Sequence, residues 1–316
     1  MIKVKALFTY NYGEEKMNKV KELGYEIVYM NEKEVFNNEN INDIDVLVCY
    51  NPFEKIDIKQ FTKLKLIQLS SIGIDQAPLD YIKRNNIVLS NNKGGYSIPI
   101  GEWIILKILE IYKNSLYFYK KQENKEWKIN TNLLELYNKT IGFIGTGTIA
   151  IEAAKRLQGF GVNIYGLNTN GRDVDCFDRC FPIDDIDGFL SKCDVLVVSI
   201  PYTKKTHHLI NAKVIDKMKD NCVLINIARG SIINELDLID KIKQGKFLGV
   251  ALDVFEQEPL SKENPLWDLD NVIITPHNCW ISENRNDRRF EVIYENLKRL
   301  KNDKELINVV NLSKGY

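Results

Sequence analysis

The stretch KTIGFIGTGTIAIEAAKRL, Lys139 to Leu157, decides how this chain is read. The apolar residues in Thr140 to Gly145 read as a short buried strand, and beyond Gly147 the apolar residues Ile149, Ala153 and Leu157 recur at helical spacing. A strand that passes through a glycine turn into a helix can hold an anion, because the free N–H groups and the dipole of the helix start face outward. Gly145 permits the tight turn, Gly147 lets the backbone approach a pyrophosphate, and Ala150 at the third position is small enough for close helix–strand packing. The same glycine turn also occurs as a purely structural connection, so the surrounding sequence has to decide.

Apolar runs alternate with amphipathic ones on both sides of that stretch. KVKALFTY, YEIVYM, DVLVCY, LKLIQLS and NIVLSN come before it; VNIYGLN, DVLVVSIP, CVLINIA, LGVALDV and NVIITP follow. This alternation is that of two parallel α/β units. Between the sets, Ile98 to Lys121 has the length and period of one long helix, with Pro99 acceptable in its first turn. SENRNDRRFEVIYENLKRLKN, near the C-terminus, reads as a further helix that returns to the first unit. The expected division is residues 1–97 with 283–316 as one domain and 98–282 as the other.

Composition narrows the partners. The chain has 316 residues, 44% hydrophobic and 27% charged, with 43 Lys plus Arg against 43 Asp plus Glu. That balance carries no basic excess directed at nucleic acid or an anionic membrane surface. The N-terminal residues lack a signal-peptide pattern, and no apolar run approaches the roughly 18 residues of a membrane helix. A cytoplasmic protein is therefore expected. The six cysteines are scattered, and Cys176 and Cys180 have no histidine or second cysteine pair nearby to complete a zinc site, so no metal is expected.

In a dinucleotide fold selective for NAD, an acidic residue about 20 positions past the glycine turn binds the ribose 2′-hydroxyl. Here the second strand ends on Asn168, followed by Thr169, Asn170 and Arg172. Neutral donors and one fixed positive charge favour a 2′-phosphate, and hence NADP(H) over NAD(H), with NAD(H) possible. The same residues also read as a plain turn with a solvated arginine.

Over nearly its whole length the sequence resembles the D-isomer-specific 2-hydroxyacid dehydrogenases, which include glyoxylate/hydroxypyruvate reductases and phosphoglycerate dehydrogenases. The resemblance rests on SSIGIDQAPLD, GGYSIPIGEW, IGFIGTGTIA, DVLVVSIPYTKKTHHLIN, NCVLINIARGSIINELDLI, GVALDVFEQEPL and NVIITPHNCW, in the family's order and spacing. It implies a Rossmann-type nucleotide-binding domain beside a flavodoxin-like substrate domain split in sequence, and a homodimer. The implied reaction interconverts a small 2-keto acid and a D-2-hydroxy acid.

The resemblance also assigns roles. Arg229 matches the arginine that holds the substrate carboxylate and keto oxygen, a task suited to a guanidinium fork. Glu258 and His277 match the acid–base dyad: the keto oxygen needs a proton, histidine is a suitable donor near neutral pH, and a neighbouring glutamate favours imidazolium. Ile72 and Gly73 match the loop whose N–H groups meet the substrate carboxylate. Thr148 and Ile149 are implied at the pyrophosphate, Pro201, Thr206, Ile227 and Ala228 along the nucleotide cleft, and Asp253 at the nicotinamide carboxamide. His207 and His208 read as surface or loop residues. The sequence departs from the family pattern at Ser199, at Tyr96, Ser97 and Pro99, and at Asn278, Cys279 and Trp280. Two alternatives share the scaffold: a nucleotide-sensing interaction protein akin to a corepressor, and an enzyme like formate dehydrogenase.

Overall fold

The structure is a computed structural model that describes residues 4–315. It divides into two compact units, one made of the chain up to Tyr96 together with Ser282 onward, the other of Ser97–Ile281.

The first unit runs β1 (Val4–Phe8), α1 (Glu14–Glu22), β2 (Tyr25–Tyr29), β3 (Val46–Cys49), β4 (Leu66–Leu69), α2 (Leu79–Arg84) and β5 (Val88–Ser90), and is completed by the C-terminal helix Arg285–Lys301. Its sheet is parallel, in the order β2-β1-β3-β4-β5. β3 and β4 are buried at every residue, as strands covered on both faces must be, which is why they read as unbroken apolar runs. Leu7, Leu47, Ile67 and Leu89 face one core. Ala6, Phe8, Val46 and Leu66 face another, where Phe290, Ile293 and Leu297 of the C-terminal helix, spaced along one face, pack onto them.

The second unit opens with α3 (Ser97–Tyr112) and α4 (Ser115–Glu123). The single helix expected over 98–121 is thus two: the chain breaks at Asn114, which takes a left-handed φ of 51°, a conformation asparagine tolerates better than most side chains. Then follow β6 (Thr140–Ile144), α5 (Thr148–Leu157), β7 (Asn163–Asn168), β8 (Arg179–Pro182), α6 (Ile186–Leu190), β9 (Val195–Val198), α7 (Ala212–Asp216), β10 (Cys222–Asn226), α8 (Glu235–Lys243), β11 (Phe247–Leu252) and β12 (Val272–Ile274). β8 has no counterpart among the expected strands. It is a short edge strand whose sequence, Arg-Cys-Phe-Pro, carries a charge and a proline instead of an apolar run.

This sheet is also parallel, ordered β12-β11-β10-β9-β6-β7-β8. Strand order reverses between β6 and β9, where Ile144 lies beside Val198. Open α/β sheets bind their ligands in the crevice at such a switch point, outside the carboxyl ends of the strands. α5 is anchored behind it by the buried Ala150, Ala153, Ala154 and Leu157, and by α3, where a methyl on Gly101 would stand 3.2 Å from the Ala153 nitrogen. Among the described residues no helix is long and apolar enough to cross a membrane.

Candidate active site

At the switch point, Gly145 has a φ of +100°, and a Cβ there would lie 2.8 Å from Ile200 Cγ2 and 3.0 Å from the Ser199 carbonyl. Only glycine fits that turn. The Ser199 hydroxyl donates to the carbonyls of Ile144 (3.2 Å) and Gly145 (3.1 Å), so this departure from the family pattern ties the end of β9 to the glycine turn. Gly147 differs in kind. It caps α5 in an extended conformation, is exposed, and a methyl there would meet no atom within 4 Å. The open face in front of the helix start is a cradle that fits a pyrophosphate. Thr148 and Ile149 form the first turn and are half-buried.

The neighbouring loops are stiffened from within. Thr206 Oγ1 accepts from the Thr203 N–H (2.7 Å) and donates to the Pro201 carbonyl (2.9 Å), shaping the chain after β9. After β10, Ile227 and Ala228 are buried; Asn226 Oδ1 accepts from the Ala228 N–H (3.1 Å), and Asn226 Nδ2 donates to the Arg229 carbonyl (3.0 Å). At the end of β7, both ends of the Asn168 amide are engaged. Its Nδ2 donates to the Arg172 carbonyl (2.9 Å), and its Oδ1 accepts from the N–H groups of Arg172 (3.1 Å) and Asn170 (3.3 Å). Asn168 therefore shapes the turn from the buried side, and Arg172, exposed, carries that turn's positive charge.

Three loops of the second unit bring the reactive side chains together. Glu258 follows β11, and its Oε1 accepts from the Phe255 N–H at 3.0 Å. Its Oε2 lies 2.8 Å from Nδ1 of His277, which follows β12. Burial pushes the Glu258 carboxyl up, yet the bonds from His277 and Phe255 and the charge of Arg229 outweigh it and hold the group below the usual carboxylate range. An ionised Glu258 fixes the proton on Nδ1 and leaves Nε2 pointing away, without a partner among the described residues.

Arg229 reaches the same neighbourhood because of the next residue. A Cβ on Gly230 would lie 1.8 Å from the Phe255 carbonyl carbon, so the loop after β10 touches the backbone of the loop after β11. Periodicity does not mark Gly230, although it stands in a segment that resembles the family; its role depends on a contact between distant loops.

His277 itself has a φ of 50° and donates its N–H to the Asp253 carbonyl at 2.8 Å. The Asp253 carboxylate, fully buried, accepts from the N–H groups of Asn278 (2.8 Å) and Cys279 (3.0 Å) and from the Thr275 hydroxyl. It clasps the loop that carries the histidine. Burial, then the Asp253 charge, push the Cys279 thiol well up, so it stays a weak donor to the same carboxylate. Trp280, another departure, donates its indole N–H to the His277 carbonyl at 2.9 Å.

The remaining histidines lie aside: the rings of His207 and His208 stack at 3.9 Å, and His208 pairs with Glu256 at 2.6 Å. In the first unit, Ile72 and Gly73 follow β4. Their carbonyls accept from Asn91 Nδ2 (2.9 Å) and Ser71 Oγ (2.8 Å), while their N–H groups meet no described residue. The loop thus presents open donors.

Comparison with known proteins shows the family. Residues 105–279 match the family model described as D-isomer specific 2-hydroxyacid dehydrogenase, NAD binding domain. The chain is 33% identical over 278 residues to a D-3-phosphoglycerate dehydrogenase of Methanocaldococcus jannaschii, covering 87% of this chain and 53% of that protein, so it spans about half the length of that relative. It is 33% identical over 267 residues to a glyoxylate reductase of Thermofilum pendens, covering 82% and 78% of the two chains. Its fold is that of a probable 2-hydroxyacid dehydrogenase of Rhizobium etli solved with NADP, with a TM-score of 0.84, 23% identity and 100% of both chains covered. The chain belongs to the D-isomer specific 2-hydroxyacid dehydrogenases, a family of NAD(P)-dependent oxidoreductases with a Rossmann-type nucleotide domain.

Proposed function

We propose that the protein reduces a small 2-keto acid to the D-2-hydroxy acid, with NADPH preferred to NADH. The observation that carries this reading is the 2.8 Å contact between His277 Nδ1 and Glu258 Oε2, which leaves Nε2 outward among loops that also hold Arg229. Arg229 takes the substrate carboxylate and keto oxygen in its planar fork. The N–H groups of Ile72 and Gly73 would take a substrate carboxylate, and the first unit would be the substrate-binding domain. Gly145, Gly147, Thr148 and Ile149 would hold the pyrophosphate, Pro201, Thr206, Ile227 and Ala228 would line the nucleotide cleft, and Asp253 would meet the carboxamide. When bound, the reduced nicotinamide supplies the hydride for the carbonyl carbon. His277 holds the proton for the keto oxygen at Nε2, and Glu258 balances the imidazolium until that proton is delivered.

Arg172 supports the NADPH preference, as does the NADP found with the Rhizobium etli protein. Chiral analysis of the product formed from glyoxylate's larger analogues, such as hydroxypyruvate, tests the reading. The D-hydroxy acid is expected; the L-isomer or no product contradicts it.

The same reading places the protein in the cytoplasm, where its six free thiols stay reduced, and makes it a homodimer. Trp127 is fully exposed and Ile129 is 80% exposed in the irregular segment after α4, an apolar surface that a second copy would cover. Sedimentation should give twice the chain mass, and Trp127→Ser with Ile129→Ser should shift it toward one; a monomeric wild type contradicts the dimer.

A further inference from the structure

His208 has no part in the chemistry above, yet three loops meet on it. It follows β9, and its φ of 48° is left-handed, a conformation that few side chains beyond asparagine, aspartate and histidine take up. In that conformation its N–H donates to the carbonyl of Ser231 (2.9 Å), two residues past Arg229, and its own carbonyl accepts from Asn211 Nδ2 (3.2 Å). Further on, Ile210 bridges to Ile233, so the segment after β9 lies along the one after β10. The imidazole reaches the third loop: Nε2 lies 2.6 Å from Oε1 of Glu256, two residues before Glu258. A carboxylate only accepts, so Nε2 donates. The His207 ring stacks against the imidazole at 3.9 Å.

Glu256 is itself one link in a chain. Its N–H donates to Glu235 Oε2 (3.3 Å), its Oε1 also accepts from the Glu235 N–H (3.4 Å), and Glu235 Oε1 accepts from Asn264 Nδ2 (2.7 Å). His208, Glu256, Glu235 and Asn264 thus run across the loops after β9, β10 and β11. They close over the contact at Gly230, where a Cβ would lie 1.8 Å from the Phe255 carbonyl carbon and 2.2 Å from the Glu256 nitrogen. Arg229 stands on one side of that contact; on the other, the Phe255 N–H holds Glu258 Oε1 at 3.0 Å. Glu235 and Glu256 bring two carboxylates together, and their charges push apart the loops they join. His208 supplies a donor to one of them and Asn264 to the other. The His208 and Glu256 side chains are each 34% exposed, and a pair so open to water adds little to stability. What the contact sets is geometry.

We propose that His208 is a positioning residue: through Glu256 it holds the loop of Glu258 against the loop of Arg229, and so fixes the Glu258–His277 pair and the guanidinium relative to one another. The inference rests on the function proposed above and adds to it a residue that touches no substrate. Its mark is a split between turnover and nucleotide binding, because the turn that would line the nucleotide cleft is shaped from within by Thr203 and Thr206 and keeps its form without the imidazole. His208→Asn keeps a side chain that tolerates the left-handed backbone and is too short to reach Glu256. It should lower kcat at least about tenfold, since a reacting group misplaced by about 1 Å costs up to about a hundredfold, while the Kd for NADPH stays within about twofold of wild type. His208→Gln, which returns an N–H donor, should recover part of the rate. Glu256→Ala should cost as much as His208→Asn, and the double variant no more than either, the sign of two residues acting as one unit. A wild-type rate in His208→Asn, additive losses, or a Kd that weakens in step with the rate overturns the assignment. A second arm needs no turnover. The chain has three histidines, so their imidazole N–H resonances can be assigned one by one, and that of His277 Nδ1, bonded to Glu258, should move in His208→Asn and return toward its wild-type position in His208→Gln. An unmoved resonance overturns the link. A moved resonance in a protein that reduces no 2-keto acid keeps His208 as the positioning residue of the pair and places the fault in the proposed function.

Discussion

His277 and Glu258 are nineteen positions apart in sequence and 2.8 Å apart in space, and their separate roles make separate predictions. His277→Ala removes the proposed proton donor and Arg229→Ala the proposed carboxylate clamp. Each should lower kcat/KM at least about a hundredfold, the lower range for losing a general acid or an electrostatic clamp. Steady-state rates at wild-type level in either variant would remove that residue from the chemistry. Glu258→Gln removes the carboxylate that holds His277 Nδ1 and orients the ring, so kcat/KM should fall at least about tenfold. An unchanged rate would leave Glu258 a structural residue. The Glu258 carboxyl is held down in the folded state, so the stability it adds is complete above the unfolded carboxylate pKa and is lost as pH falls through the lower folded value. At this scale the types Arg, Glu and His were legible in the sequence because they stand in motif segments that resemble a family. Periodicity alone marks none of them.

Elements were legible where one segment determines its own structure. β6, its glycine turn and α5 follow from local pattern, and both the tight turn at Gly145 and the open face at Gly147 have local causes. The break at Asn114 was hidden because neither glycine nor proline marks it, and an asparagine in an amphipathic run carries no punctuation of its own. β8 was hidden because an edge strand needs no apolar alternation. Gly230 belongs to a third class, legible only in three dimensions, since the atoms that exclude a side chain come from Phe255 and Glu256. Gly230→Ala should therefore force the loops after β10 and β11 apart. The expected cost is about 1–3 kcal/mol, the usual range for overpacking, with lost activity because Arg229 moves with the loop. Denaturant unfolding and steady-state rates check it together; a variant with wild-type stability and rate would show that this contact does not position Arg229.

At the scale of the whole molecule there are two parallel sheets, and the second carries at its carboxyl edge both the glycine turn and the Glu258–His277 pair, the edge where open α/β sheets bind ligands. In the proposed reading the part common to both nucleotides lies at Gly145 to Ala150, which leaves discrimination to the turn after β7, where Asn168 shapes the chain and Arg172 supplies charge. Asn168→Asp with Arg172→Ala should reverse the preference by about one to two decades in affinity, the equivalent of one charge-assisted contact of roughly 1.5–3 kcal/mol. Wild-type Kd values for NADPH and NADH within twofold of each other would return that turn to a purely structural role. The account as a whole rests on reduction of 2-keto acids, and one measurement reaches it most directly: initial rates of NADPH and NADH oxidation across a panel of 2-keto acids, mono- and dicarboxylic. Saturable, keto-acid-dependent oxidation is predicted, with kcat/KM for NADPH at least about tenfold above that for NADH. Oxidation of neither nucleotide with any acid of the panel would contradict the account.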